Sequence, residues 1–181
     1  MKQLVQIAII LSLFPLSSLA SNLSFGLPVV GGSGCANANV RWEVSPVGNI
    51  LLIVDANSKA IDNLRLSRVS CMIAVPVSVG VGEMLIVKSV ALVSSLKIPK
   101  KSKASMSLEV FEGGSRGKLI TQRVRNGSQI TPPVLVGSDL LFIQNAETNL
   151  RINASTMLRN QSSKEAGENG IEALIVELEQ K

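Results

Sequence analysis

Apolar and polar residues alternate over short runs of this chain, which is the pattern of strands with one buried face. In NVRWEV (39–44), two valines and a tryptophan alternate with the charged residues Arg41 and Glu43. SPVG (45–48) follows as a turn, because its proline favours the first corner and its glycine tolerates a positive φ. NILLIVD (49–55) is the return strand, so the pattern predicts a β-hairpin.

The rest of the chain repeats this arrangement of short β-rich runs between turn signals. Further strands are predicted at 64–79, 83–93, 104–112, 118–124, 134–144 and 148–157. Pro76 lacks a backbone donor, so we expect it at an edge, at a bulge or near the end of its strand. The spacing predicts an all-β fold, an antiparallel β-sandwich.

The C-terminal run GIEALIVELEQK is compatible with two structures. Its apolar residues have helical spacing at Ile171, Leu174, Ile175 and Leu178, and strand spacing at Leu174, Val176 and Leu178. A helix this short is marginal without partners, and the neighbouring segments are predicted strands. We therefore favour a closing strand over 171–179.

The N-terminus has the features of a secretory signal peptide. Lys2 precedes an apolar run of about a dozen residues, and the small residues Ser18 and Ala20 form a cleavage signal. The apolar run is too short for a membrane span, which needs about 20 residues. We expect cleavage after residue 20, a flexible arm over 21–33 and one β-sandwich domain over 34–181. The short leader favours a bacterial protein that is secreted or periplasmic.

The chain has two cysteines, Cys35 and Cys71. In an oxidising compartment a single pair is expected to form a disulfide, and closing this loop would stabilise the fold by about 4 kcal/mol. Two buried free thiols are the alternative. A catalytic cysteine is disfavoured because the chain contains no histidine to activate it.

The amino-acid composition limits the kinds of catalytic and binding site that the chain can form. Histidine and tyrosine are absent from all 181 residues, which excludes histidine-dependent triads and histidine metal sites, and aromatic residues make up only 3% of the chain. Platforms of stacking aromatics for sugars or bases are therefore not expected. A serine–lysine couple exists at Ser102 and Lys103, but adjacent side chains of an extended segment point to opposite faces. We expect no enzyme activity, no cofactor and no metal site.

Basic residues are concentrated in the segment 97–125, where two glutamates, Glu109 and Glu112, accompany eight cations. This segment is a candidate patch for an anionic ligand such as an acidic glycan or a surface protein, whereas an ordinary solvated face is the alternative. Nucleic acid is a disfavoured partner of an exported protein without stacking aromatics. The candidate residues are Lys97, Lys100, Lys101, Lys103, Arg116, Lys118, Arg123 and Arg125.

Several of these motifs occur together in a known family. GGSGC (31–35), the SPVG turn, NILLIVD and RVSCMIAVPV (68–77) follow one another in order, and the chain resembles, over about residues 32–90, the small secreted proteins called domain of unknown function 4360. The resemblance implies a secreted β-sandwich with a Cys35–Cys71 bond. It implies no particular activity.

Two functions fit these observations. The first is a non-catalytic binding module at the cell surface or outside the cell, which recognises a polymer or a protein through loops or through the basic segment. The second is a pilin-like assembly subunit that donates its N-terminal arm, residues 21–33, to the sheet of a neighbour. Pro28 and the glycines of the arm are unfavourable in a donor strand.

Overall fold

A computed structural model of the chain describes residues 22–62, 65–125, 134–144, 146–161 and 165–181, with the backbone alone at 59–62, 125, 134 and 139. The predicted signal peptide lies outside the described residues. The described part contains strands and turns, and its eleven strands are β1 Ser24–Phe25, β2 Val29–Gly31, β3 Asn39–Val44, β4 Ile50–Asp62, β5 Ser67–Ser78, β6 Met84–Lys97, β7 Lys103–Glu112, β8 Lys118–Arg125, β9 Val134–Gln144, β10 Glu147–Arg159 and β11 Gly167–Gln180.

The strands form two antiparallel sheets packed face to face. In the six-stranded sheet, β1 and β2 share one edge of β5, and the order continues β5-β10-β7-β8. The five-stranded sheet has the order β3-β4-β11-β6-β9. The predicted antiparallel β-sandwich is thus confirmed, and the predicted 134–144 strand matches β9 at both ends.

The core lies between the two sheets and is built by the side chains that alternate inward. On β10, Leu150 and Ile152 are fully buried, and on β11 the same holds for Leu174, Val176 and Leu178. β11 pairs along one edge with β4 and along the other with β6. This central position explains why the ambiguous C-terminal run is a strand, since its backbone groups are satisfied by two neighbours and its apolar residues face the core.

The N-terminal segment that we expected to be a flexible arm lies along β5 of its own chain. Phe25 is opposite Val77 and Val29 is opposite Ala74, with a break between β1 and β2. Pro76 lies at this break and has no N–H to offer the segment, although its carbonyl accepts a hydrogen bond of 2.8 Å from the Gly26 N–H. Pro76 is also close to the end of β5, one of the positions predicted for it.

The chain crosses from the six-stranded to the five-stranded sheet between β2 and β3, and the predicted disulfide is formed at this crossing. Cys35 and Cys71 are bonded, with their Cα atoms 5.1 Å apart, and both are buried. The Gly34 N–H donates to the Ser70 carbonyl over 2.7 Å, which brings the loop against β5. Gly32 has a φ of 101°, a conformation that residues with a Cβ rarely adopt.

Removal of the disulfide is expected to destabilise the fold substantially. The bond joins residues separated by 36 positions, and a loop of this size corresponds to about 4 kcal/mol in the chain-entropy treatment. We expect the double variant Cys35→Ser, Cys71→Ser to lose about that much free energy of unfolding in a urea titration. Wild-type protein under reducing conditions is the control and should behave like the variant. A loss below about 1 kcal/mol would contradict this view of the crossing.

Candidate ligand-binding face

The outer face of the six-stranded sheet carries a series of shallow depressions along β10. The first, of about 340 Å³, lies by Glu147 and Asn149 at one end of the strand. The second, of about 240 Å³, includes Asn153 and Ser155. The third, also about 240 Å³, is lined by Met157 and Arg159 at the other end. Thirteen residues of β10 correspond to a length of about 40 Å, so the depressions follow one extended path that we call the β10 trough.

The middle of the β10 trough is lined by hydroxyl and amide groups. Ser155 is opposite Ser70 on β5 and Ser107 on β7, and the hydroxyl groups of Ser107 and Ser155 are 2.8 Å apart. The Asn153 amide donates to the Glu109 carboxylate over 3.4 Å. These side chains are half-buried and lie on the solvent side of the sheet. The arrangement offers donors and acceptors for a polar ligand.

One end of the β10 trough is strongly basic. The register places Met157 opposite both Arg68 on β5 and Ser105 on β7, and Ser105 is in turn opposite Arg123 on β8. Arg159 is opposite Lys103 in the next outward row. Four adjacent strands thus each contribute one cation to this end of the face, and we call these residues the basic quartet: Arg68, Lys103, Arg123 and Arg159.

No ion pair within the described part of the chain involves the basic quartet. Glu109 is a nearby carboxylate on the same face, but it follows Ser105 by four residues, about 13 Å along β7. Glu109 lines the central depression together with Arg68, but it forms no ion pair with that arginine. Four cations with one carboxylate near them leave an excess of positive charge at this end, which attracts anions. Met157, 38% exposed, gives this end an apolar floor.

The structure brings together only part of the predicted basic segment. Lys103 and Arg123 lie in the basic quartet, and the backbone of Arg125 pairs with Lys103, although its side chain is outside the described part. Lys97 ends β6 in the other sheet, where it is opposite Glu168. The remaining candidates are in turns or at the far end of β8, namely Lys100, Lys101, Arg116 and Lys118.

Sequence reasoning missed two members of the basic quartet. Arg68 is on β5 and Arg159 on β10, far from the basic segment in sequence. Period-two alternation identifies both as outward-facing residues of their strands, and this was the available signal. Their proximity to Lys103 depends on the order β5-β10-β7-β8, which alternation does not reveal.

The two side chains of the serine–lysine couple lie in different environments, because Ser102 is buried and Lys103 is exposed. Ser102 is 1% exposed, and its hydroxyl donates to the Asn160 side chain and accepts from the Gln161 N–H, both over 3.0 Å. Lys103 is exposed and belongs to the outer face. The Ser102 hydroxyl therefore has a structural role in the turn that precedes β7.

The described ranges contain neither a cluster of metal ligands nor a membrane-spanning helix. Groups of three or more residues suited to hold a metal ion do not occur among these residues. Nor does this part of the chain contain a helix of the length and apolarity that crossing a membrane requires.

Among known proteins, the chain has a distant structural neighbour but no sequence match. No family model and no curated protein sequence matches the chain. A solved structure similar to it is that of TmCBM61 in complex with β-1,4-galactotriose, with a TM-score of 0.31 and 12% identity over 82% of this chain and 86% of that one. A likeness this distant does not bear on the ligand of this chain.

The unpaired charges of the basic quartet should lower the stability of the fold. Lys103 is directly opposite Arg159, and like charges in this position are destabilising. We expect Lys103→Glu to raise the free energy of unfolding by about 1 kcal/mol at low ionic strength, since it replaces a repulsive pair by an attractive one. The gain should vanish in about 1 M salt. Arg116→Glu, in the exposed turn before β8, is the control and should be neutral; equal gains for both variants would refute the assignment.

Proposed function

We propose that this protein is an exported, non-catalytic binding module that holds an extended acidic polysaccharide in the β10 trough. The observation that carries the proposal is the path of depressions along β10 that ends in the basic quartet. A path of about 40 Å suits a polymer better than a small molecule. The disulfide between Cys35 and Cys71 supports export, because such bonds persist in oxidising compartments.

The chemistry of the trough favours a glycan among anionic polymers. Hydroxyl and amide groups, such as those of Ser70, Ser155 and Asn153, exchange hydrogen bonds with sugar hydroxyl groups. The basic quartet provides guanidinium groups, which bind carboxylates and sulfates through paired hydrogen bonds. Arg151 is another outward-facing cation further along β10. The ligand would therefore combine free hydroxyl groups with acidic substituents.

A pilin-like role for the N-terminal arm has less support. β1 and β2 pair with β5 of the same chain, and Phe25 packs against Trp42 with ring centroids 4.8 Å apart. An arm that completes its own sheet is not free to complete that of a neighbour. Membership of the family called domain of unknown function 4360 stays a prediction.

Binding is tested by affinity electrophoresis and calorimetry with polygalacturonate and dextran sulfate, with neutral dextran for comparison. We expect both acidic polymers to bind and the affinity to fall as salt rises, because exposed charges are screened. The double variant Arg123→Glu, Arg159→Glu should lose at least about tenfold in affinity, since it reverses two charges at the centre of the basic end.

The matched control is Arg116→Glu, Lys118→Glu. It changes the net charge by the same amount at the opposite end of β8. We expect less than about a twofold effect on affinity. Equal losses in the two double variants would mean attraction by net charge alone and would refute the β10 trough as the site. Failure of the wild-type protein to bind either acidic polymer would refute the proposed function itself.

A further inference from the structure

β3 is an edge strand of the five-stranded sheet, and it leaves apolar side chains exposed. It pairs with β4 alone among the described strands. Trp42 is 37% exposed and Val44 is 72% exposed, although both share the face that contains the core residues of β4. At the facing edge of the six-stranded sheet, Phe25 of β1 packs against Trp42. β1 and β2 are short, however, and the remaining surface of Trp42 and most of Val44 stay exposed. An uncovered apolar edge favours pairing with another chain.

We propose that two copies of this protein pair through β3, antiparallel, about a two-fold axis at Trp42. In this register Trp42 is opposite the partner's Trp42, and Val40 is opposite the partner's Val44. Arg41 is opposite the partner's Glu43, and the symmetry repeats this pair. On one face of the paired strands each Arg41 therefore meets an opposite charge, and on the other face apolar residues meet apolar residues. Such self-complementarity is what an isologous interface requires.

The charged residues of β3 are already positioned for this contact. Arg41 pairs with Glu43 over 2.8 Å and also with Asp55 on β4, so its guanidinium is held on the outer face of the sheet. The side chains of Arg41 and Glu43 remain 41% and 48% exposed. Each therefore retains accessible surface for an opposite charge on the partner strand.

The edge strand β8, unlike β3, is unsuited to pairing with a second copy of itself. β8 is an edge strand of the six-stranded sheet, and its charged residues are all basic, namely Lys118, Arg123 and Arg125. Because β8 contains no acidic residue, its pairing with a second β8 could form no ion pair and would add positive charge to positive charge. Of these two edges, β3 is the one suited to self-association.

Pairing through β3 would join the two five-stranded sheets into one continuous sheet. The two-fold axis is then perpendicular to that sheet, because equivalent residues such as Trp42 lie on the same face. Both six-stranded sheets would consequently lie on one side, with their outer faces pointing in the same direction. A dimer of this geometry presents two β10 troughs to one surface, which raises the avidity for a polymer.

The test is size exclusion with light scattering on mature protein, residues 21–181, over a hundredfold range of concentration. We expect the mass to rise from one chain to two. Arg41→Glu should move the midpoint to about tenfold higher concentration, because both symmetric pairs become repulsive. The charge-swapped variant Arg41→Glu, Glu43→Arg should return it towards the wild-type value. The single tryptophan of the chain provides a second readout, since emission from Trp42 should shift to shorter wavelength on association.

The swapped variant also controls for folding, because it lacks the Arg41–Asp55 ion pair just as the single variant does. Arg116→Glu serves as a charge control away from β3 and should leave the midpoint unchanged. A wild-type mass of one chain at every concentration would overturn the proposal. So would a dimer that Arg41→Glu does not weaken, or one that the swapped variant does not restore.

Discussion

The covalent bond between Cys35 and Cys71 holds the point at which the chain passes from one sheet to the other. β2 ends in the six-stranded sheet and β3 begins in the five-stranded one, with a short glycine-rich loop between them. The disulfide and the hydrogen bond from Gly34 to Ser70 fix this loop against β5. The position of β3, and with it the open edge around Trp42, depends on this crossing, as does the cover that the N-terminal segment gives to β5.

β10 connects the core to the proposed binding face. Its even-numbered residues, such as Leu150 and Ile152, are buried between the sheets, while its odd-numbered residues, such as Ser155 and Arg159, lie on the outer face. β5 and β7 pair with β10 over most of its length, one on each side. A slip of one residue would exchange the two faces and expose the core. The side chains of the β10 trough are thus held in place by the same pairing that buries the apolar residues.

Two features of the surface are unfavourable for the isolated chain. The basic quartet concentrates like charges, and β3 exposes Trp42 and Val44. Natural sheets commonly cover or charge such edges, and Arg41 and Glu43 supply charges of both signs on β3. An anionic ligand would relieve the repulsion among the cations, and a second β3 would cover the exposed apolar area. Each proposed binding event would therefore offset a specific unfavourable term in the free energy of the isolated chain.

The sequence alone determined the fold class and most strand positions, because alternation is a local property. With two cysteines it also allowed only one intramolecular pairing, Cys35 with Cys71, and the structure shows that this bond forms. It did not determine which strands are neighbours. Arg68 and Arg159 join Lys103 through long-range pairing, whereas Lys97 and Arg116 are close to Lys103 in sequence and lie elsewhere. Strand order depends on how apolar faces from distant segments pack together, and no short stretch of sequence encodes it. The basic quartet is consequently a product of tertiary structure.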